Sequence, residues 1–577
     1  MKVVNKLSWM IGGEAGYGIM NTGRIFAKTF TRGGLNVFGY NEYPSLVRGG
    51  HNVYHIRVED DPINAAVKPV DLLVALNHET IDRHKDDLTN GGGVIYDEDV
   101  NLEKHEIKSK ARLYPVPLIK IAKDIAGKDL MKNTVALGAS VALIGYDFEI
   151  LASVLRDTFK KKGKAIVESN VKCARAGYDY VSEKGWHDGF THKLHKISDK
   201  KKILMTGNEA LALGAIAGGL DFYVAYPMTP SSSILHYMVA KQKEYKFFAK
   251  HVCDEIEAVN MALGASYAGA RAMVGTATGG FALMVETLSF AGMCEVPITF
   301  VVSQRGAPAT GLPTWTSQTD LKFFINAGHG EFPRIVVAPG DAKETFYVAA
   351  EAMNLAEKFQ IPVIIALDKY LSESVYSIDH LYPKRARIDR GLIVKNPKKG
   401  FKRYEVTKTG VSPRTLPGTP NGFYACNSDE HNEFGYSNEE IKNRNMQYSK
   451  RMKKLKEIRK VLPKPVLYGS RKAELTLITW GSTKGAALDA MHFLKNEGIN
   501  VNVLQVTYVF PFPTNEINRV MKKNKVLVIE NNYTGQFASL IREHTGVKVK
   551  NRLNKYDGRP IYPVEIIHKV REVLRNG

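Results

Sequence analysis

Residues 254–320 read DEIEAVNMALGASYAGARAMVGTATGGFALMVETLSFAGMCEVPITFVVSQRGAPATGLPTWTSQTD. Ile256, Val259, Met261 and Ala262 set an apolar helical pattern, which predicts a buried helix at the start of this stretch. Ala258, Ala262, Ala265 and Ala268 keep that helix thin, so other elements can pack close to it. A short strand is expected over Ala272–Gly275. Thr276-Ala277-Thr278-Gly279-Gly280 then turns into a second apolar helix, and a further strand over Pro297–Ser303 ends at Gln304-Arg305-Gly306. Strand, small-residue turn, helix, strand and polar loop is the grammar of a parallel α/β sheet. Such sheets build their sites where loops leave the carboxyl ends of strands. Those ends carry Thr276, Thr278, Arg305 and Thr314, and Glu255 stands at the helix start, so this stretch is the expected chemical centre.

Upstream lies Tyr226-Pro227-Met228-Thr229-Pro230-Ser231-Ser232, after an expected strand over Phe222–Ala225. The prolines fix the loop, and Ser231-Ser232 is expected to cap the following helix. With this segment the chain resembles the α subunit of 2-oxoacid:ferredoxin oxidoreductases. The resemblance is carried by YPxTPSS, by DEIxAxxMAxGASYAGARAM and by QRGxPxTGLPT…QxDL. Ala307-Pro308-Ala309 departs from it, standing where Gly-Pro-Ser is more usual. The likeness extends over the N-terminal and C-terminal thirds as well.

Length and composition agree with a multi-domain α/β protein. The 577 residues suffice for three or four domains, with 44% hydrophobic and 24% charged residues. No apolar run approaches the ~20 residues that span a bilayer, and the first strand begins too early to leave room for a signal peptide. The four cysteines, Cys173, Cys253, Cys294 and Cys426, form no CxxC. That argues for a reducing cytoplasm and against a cluster or zinc site in this chain. The formal charge of +21 is spread over helices and linkers, with short runs at Lys160–Lys162 and Lys200–Lys202. No nucleic-acid module accompanies it, so a solvated surface is the favoured reading.

In chain order, residues 1–190 are expected to form a first domain, and 191–204 a polar linker. Residues 205–385 are the central domain, 386–468 a connecting arm over the surface, and 469–577 a last α/β domain. The basic helix of the arm, Glu439–Val461, reads as solvated or subunit-facing. In the first domain, Gly12-Gly13-Glu14-Ala15-Gly16-Tyr17-Gly18 joins a strand to the helix Ile19–Thr31, a turn at which backbone N–H groups can meet phosphates. It lacks the GxGxxG spacing of a dinucleotide site. A second basic loop, Tyr43–His51, contains Arg48.

By resemblance, the first domain is similar to the family's γ domain, associated with coenzyme A. That implies Gly12, Gly13, Gly16, Gly18 and Arg48 as candidates for that site, with tight turns and an internal ion pair as the structural alternatives. The central domain is similar to the pyrimidine-type thiamine diphosphate domain, and the last to a transketolase C-terminal domain.

For Glu255 there is a physical argument of its own: beside alanines the carboxyl loses water, so its pKa rises and it can donate a hydrogen bond near neutral pH. The resemblance implies that this carboxyl, nine residues before Gly264, contacts N1′ of the aminopyrimidine and promotes loss of the thiazolium C2 proton. Asp254 and Glu257 read as capping or surface residues. Arg305 offers a two-pronged donor for the carboxylate of a 2-oxoacid; Thr229 and Thr314 offer hydroxyls; Tyr226, Pro227, Thr276 and Thr278 are candidates for holding the cofactor.

No GDG…N run is present to hold Mg2+ and the diphosphate, and the cysteines do not suit a 4Fe–4S cluster. The resemblance places both on a β subunit, so this chain is expected to hold half a site, in a heterodimer or dimer of heterodimers. The implied reaction joins a 2-oxoacid (2-oxoglutarate, pyruvate or a broad set) to coenzyme A, releasing CO2 and reducing ferredoxin. Two alternatives stay open: a thiamine-dependent decarboxylase or ketol transferase without electron transfer, and a non-catalytic coenzyme A-binding assembly subunit.

Overall fold

The computed structural model describes residues 2–46, 49–100, 107 and 110–576. The chain divides into two compact units. The first takes in Met1–Met205, Glu373–Leu381 and Tyr562–Val564; the second takes in Thr206–Ser372, Tyr382–Ile561 and Glu565–Gly577.

The first unit is built on an eight-stranded mixed sheet. Its order is Arg112–Val116, Leu88–Asp97, Val70–Ala75, Lys6–Glu14, His51–Glu59, Asn36–Glu42, Val375–Ile378 and Ile203–Thr206. Trp9, Phe26, Phe30 and Tyr146 fill the core between this sheet and the helices Ile19–Arg32 and Lys132–Leu143. The strand expected over Leu7–Ile11 runs on to Glu14, because Gly12, Gly13 and Glu14 pair with Val53, Asn52 and His51. Residues 191–204, expected as a linker, carry structure of their own. His192–Lys193 pairs in parallel with Val3–Val4, and Ile203–Thr206 takes an edge of the large sheet. Lys193 is buried, its Nζ donating to Leu143 O at 3.1 Å. Charge and glycine content alone could not signal that anchoring.

The second unit has two sheets. Six parallel strands run in the order Phe248–His251, Phe222–Ala225, Ala272–Ala277, Ile298–Gln304, Pro362–Asp368, Ile335–Val337, and Tyr508–Phe510 closes the row antiparallel. The other sheet, of five strands, contains Leu475–Thr479, Val501–Gln505 and Val526–Glu530 side by side. One core serves both sheets, joining Val274, Phe281, Phe300 and Ile364 to Trp480, Leu504 and Phe537. Contiguous apolar strands of this kind are what a sheet covered on both faces requires.

The arm differs from its expectation. Arg403, Tyr404, Arg414 and His431 are buried, and so are Asn443, Gln447, Lys450, Arg451 and Lys454 along the helix Ile441–Val461. The helix is therefore not a solvated rod. Two of its lysines, Lys450 and Lys454, point inward because a buried carboxylate, Glu295, pairs with both at 2.6 Å each, while Lys442, Lys453, Lys456 and Lys460 stay exposed. No helix among the described residues is long and apolar enough to cross a membrane.

Candidate functional site at the carboxyl edge of the parallel sheet

Register decides what meets at this edge. Ala277 lies beside Ser303, Ser303 beside Leu367, and Gln304 beside Asp368, so the loops after three neighbouring strands leave at one level. Tyr226 follows the fourth, Phe222–Ala225, with its ring 6.2 Å from His251 at the end of the next strand.

Glu255 is the first residue of the helix Glu255–Tyr267. Asp254 caps that helix, accepting from Glu257 N at 2.7 Å, and Glu257 Oε2 accepts in turn from Cys253 N at 2.7 Å. The two neighbouring carboxylates are thereby committed to the cap, as their positions suggest. Glu255 points inward instead. It is 4% exposed, and its Oε1 has no hydrogen-bond partner among the described residues. Burial, joined by the charge of Asp254, raises its pKa above the ordinary carboxyl range. Thr276 Oγ1 is a second buried oxygen without a partner. Gly280 brings the two together: a Cβ there would run into Thr276 Oγ1 and would sit 2.6 Å from Glu255 Oε1. The absent side chain is a requirement of the slot.

Arg305 is half-buried, and burial lowers the pKa of its guanidinium. Nη1 donates to Thr229 O at 2.8 Å, which ties the strand-end arginine to the Tyr226–Ser232 loop and leaves the rest of the fork open. Thr314 is buried, and its Oγ1 also lacks a partner. Thr278 is different: its hydroxyl donates to Asp320 Oδ2 at 2.8 Å, so its hydrogen is already used. The Ser231 hydroxyl donates to Met228 O at 2.7 Å and makes no cap to the helix Ser232–Tyr245, contrary to expectation, because the tight loop claims it first.

Several residues that sequence reasoning did not single out hold this arrangement. Asp320 N donates to Gln304 Oε1 at 3.1 Å, and burial raises the Asp320 carboxyl. Asp368, also raised by burial, accepts from Leu371 N at 2.9 Å and from Thr316 Oγ1 at 3.3 Å. Gln318 donates to Trp480 O at 2.9 Å, and accepts from Asn531 N at 3.0 Å and Asn532 Nδ2 at 3.1 Å. Arg559 stacks on Trp315, 3.5 Å from its ring centre. The 306–320 loop is thus clamped from the last α/β segment of the chain.

In the first unit, Gly12 and Gly13 lie within a strand rather than on an open loop. A Cβ at Gly12 would meet Thr80 Cγ2 at 2.6 Å and His51 at 3.0 Å, and one at Gly13 would meet Leu76 at 3.0 Å. Packing alone therefore accounts for these two glycines. Gly16 and Gly18 make the turn, at φ 97 and 74, and Gly18 precedes the helix Ile19–Arg32 without a side-chain cap. Lys132 lies 4.0 Å from the Tyr17 ring centre, and Asn133 donates to Tyr17 O. Arg48 falls outside the described residues.

Buried, partnerless Glu255 and Thr276 oxygens beside a glycine slot fit a heterocycle that offers both donors and acceptors. Among the described residues no three His, Cys, Asp or Glu side chains converge as a metal site. Three family descriptions match: pyruvate ferredoxin/flavodoxin oxidoreductase over residues 8–180, its thiamine diphosphate-binding domain over 213–450, and core domain II of pyruvate:ferredoxin oxidoreductase over 473–566. The 2-oxoacid:ferredoxin oxidoreductase subunit alpha of Saccharolobus solfataricus is 33% identical, covering 99% of this chain and 98% of that one. The 2-oxoglutarate oxidoreductase subunit KorA of Mycobacterium tuberculosis is 27% identical, covering 97% and 90%. A solved structure of the 2-oxoglutarate:ferredoxin oxidoreductase from Magnetococcus marinus, with 2-oxoglutarate, coenzyme A and succinyl-CoA bound, superposes with a TM-score of 0.93 at 32% identity, covering 99% and 100%.

Fold, edge geometry and matched domains together define an α/β oxidoreductase chain with a thiamine diphosphate-binding domain. The chain belongs to the 2-oxoacid:ferredoxin oxidoreductase family, as an α subunit.

Proposed function

We propose that the carboxyl edge of the parallel sheet is this chain's half of the active site, and that Glu255 is its acid–base residue. The observation that carries the reading is the pair of buried oxygens, Glu255 Oε1 and Thr276 Oγ1, left without partners across Gly280. Thiamine diphosphate, when bound, supplies the carbon nucleophile that attacks a 2-oxoacid and stores the electron pair left by CO2. The chain's own residues do the rest. Glu255 keeps its proton to higher pH than an ordinary carboxyl and donates it to the aminopyrimidine nitrogen. Thr276 offers its hydroxyl in the same slot, and Tyr226 and Pro227 wall it. Thr278 shapes the turn through Asp320.

Arg305, held by Thr229 O, directs its remaining N–H groups to the substrate carboxylate, and Thr229 and Thr314 present hydroxyls to the acid. The substrate is 2-oxoglutarate or a broad range of 2-oxoacids. Coenzyme A is the acyl acceptor, met at the turn of Gly16 and Gly18, while Gly12 and Gly13 let the strand beneath pack closely. A β subunit brings Mg2+, the diphosphate contacts and a 4Fe–4S cluster, and passes electrons to ferredoxin in the cytoplasm. The pair works as a heterodimer or a dimer of heterodimers.

Purifying the chain with its β-type partner and measuring viologen reduction tests this directly. Reduction that requires both chains, coenzyme A and thiamine diphosphate is expected, and the rates with 2-oxoglutarate, pyruvate and 2-oxobutyrate give the substrate order. Turnover by this chain alone, or turnover indifferent to coenzyme A, would refute it.

A further inference from the structure

The helix Lys132–Leu143 is buried along its whole length, so each polar side chain on it needs a partner. Two find one inside the chain: Thr134 Oγ1 donates to Asn170 Oδ1 at 3.2 Å, and Ser140 Oγ to Ala136 O at 2.8 Å. The other two, Lys132 and Asn133, lie against the Gly16–Gly18 turn. Asn133 Nδ2 donates to Tyr17 O, and Lys132 Nζ stands 4.0 Å from the centre of the Tyr17 ring. Lys132 is 9% exposed and Asn133 5%, yet neither is satisfied there. Asn133 Oδ1 has no hydrogen-bond partner, and among the described residues no carboxylate pairs with Lys132.

The turn supplies donors of its own. In the helix Ile19–Arg32, Thr22 N is the first to reach a carbonyl, Gly18 O at 3.1 Å, and no side chain caps the N–H groups before it. Gly16 and Gly18 are exposed, and a Cβ on Gly16 would meet nothing within 4 Å, so the space over the turn is open. Burial lowers the Lys132 ammonium, and the charges of Asp97, Asp129 and Glu14 oppose that. Glu14 and Asp129 face water, whereas Asp97 already accepts from Ile119 N at 2.7 Å and Asp99 N at 3.2 Å. The buried ammonium, the uncapped helix start and the orphaned amide oxygen thus meet at one open turn.

We propose that Lys132 and Asn133 are substrate-binding residues for coenzyme A. Lys132, with the N–H groups at the start of the helix Ile19–Arg32, holds the pyrophosphate, and Asn133 Oδ1 accepts a hydrogen bond from the pantetheine arm beside it. Resting on the reading that coenzyme A meets the chain at this turn, the assignment adds a second wall to that site and says which part of the ligand each group takes. An anion satisfies the ammonium and the uncapped N–H groups. Asn133 Oδ1 needs a donor instead, which an ionised phosphate cannot give. In coenzyme A the pyrophosphate is followed directly by a hydroxyl and an amide N–H of the pantetheine arm, so one ligand brings both. Inorganic phosphate would satisfy Lys132 and leave Asn133 without a partner.

The chain purified with its β-type partner is assayed by initial rates of viologen reduction, with coenzyme A, 3′-dephospho-coenzyme A and pantetheine as acyl acceptors. Lys132→Met should raise the KM for coenzyme A about 10–100-fold, the worth of a charge-assisted hydrogen bond, and leave the KM for the 2-oxoacid unmoved. 3′-Dephospho-coenzyme A keeps the pyrophosphate and should lose the same factor; pantetheine lacks it and should be unaffected. Lys132→Arg should restore most of the loss, and Asn133→Leu should weaken all three acceptors. A coenzyme A KM that Lys132→Met leaves within twofold, or a pantetheine KM that rises as much as that of coenzyme A, would overturn the proposal. Gly18→Val, which forces a branched side chain into φ 74, separates this from the reading beneath it. If only Gly18→Val raises the coenzyme A KM, the turn is the site and Lys132 is not part of it; if neither variant does, both fall. Thermal midpoints report whether each variant folds, and Lys132→Gln stands in should Lys132→Met fail to.

Discussion

Replacing Glu255 with Gln keeps the side chain's shape and removes its exchangeable acid proton. A positioned acid–base group is worth about 10²–10⁴-fold in rate, so turnover of the assembled enzyme is expected to fall by about 3–5 kcal/mol in barrier terms. Stability should move the other way. Burial of Glu255, first among the causes, raises its pKa in the folded chain. At low pH both folded and unfolded states hold the proton, and the group costs nothing. As pH rises through the ordinary carboxyl range, the unfolded chain releases its proton first and the native state loses stability. That loss grows until the folded pKa is passed and is constant above it.

Gln carries no such penalty, and its neutral amide replaces a carboxyl whose Oε1 already lacks a partner. The variant should therefore be as stable as the parent at low pH, where both states hold the proton, and more stable at neutral pH. Thermal midpoints of both proteins at several pH values, alongside viologen-reduction rates, measure the two effects together. A variant within tenfold of parental turnover would refute the acid–base role. A stability advantage that shrinks as pH rises would refute the assignment of a raised pKa.

Gly280→Ala should abolish turnover while costing about 1–3 kcal/mol of stability, since the added methyl meets both Thr276 Oγ1 and Glu255 Oε1; thermal melting and rate on the same sample check this. Arg305→Lys loses the fork that reaches Thr229 O, and the substrate KM should rise about 10–100-fold, the equivalent of a charge-assisted hydrogen bond, with kcat within a few-fold in initial-rate measurements. Glu295→Gln leaves Lys450 and Lys454 buried without their carboxylate; about 3–5 kcal/mol should be lost, seen as a thermal midpoint lower by several degrees.

The central βαβ run was legible because its information is local. Apolar periodicity gave the helix Glu255–Tyr267 and the polar ends of strands gave Arg305; small residues marked the passage from strand to helix, although the strand runs on to Ala277 and the helix begins at Thr278 with no turn between. The capping roles of Asp254 and Glu257 follow from three-residue spacing alone. What escaped reading depends on partners far away in the chain. Gln318 owes its importance to Trp480, Asn531 and Asn532, more than 160 residues on. Gly12 and Gly13 look like a phosphate loop in sequence, yet Thr80, His51 and Leu76 crowd them as a close-packed strand would.

The lysine-rich arm shows why composition misled most where charge was densest. A run such as Lys450–Lys454 has the pattern of a solvated helix, and burial of its lysines becomes tolerable only because Glu295 waits inside. A second buried carboxylate, Glu357, does the same with Arg390 at 2.8 Å and Arg414 at 3.0 Å, both contributed by the arm, and with Arg271 from the central domain. Buried ion pairs add little net stability over apolar packing, but breaking one is costly. Two such carboxylates therefore act as directional fasteners: they fix where the arm crosses the central domain, whereas apolar contacts of equal area would tolerate sliding.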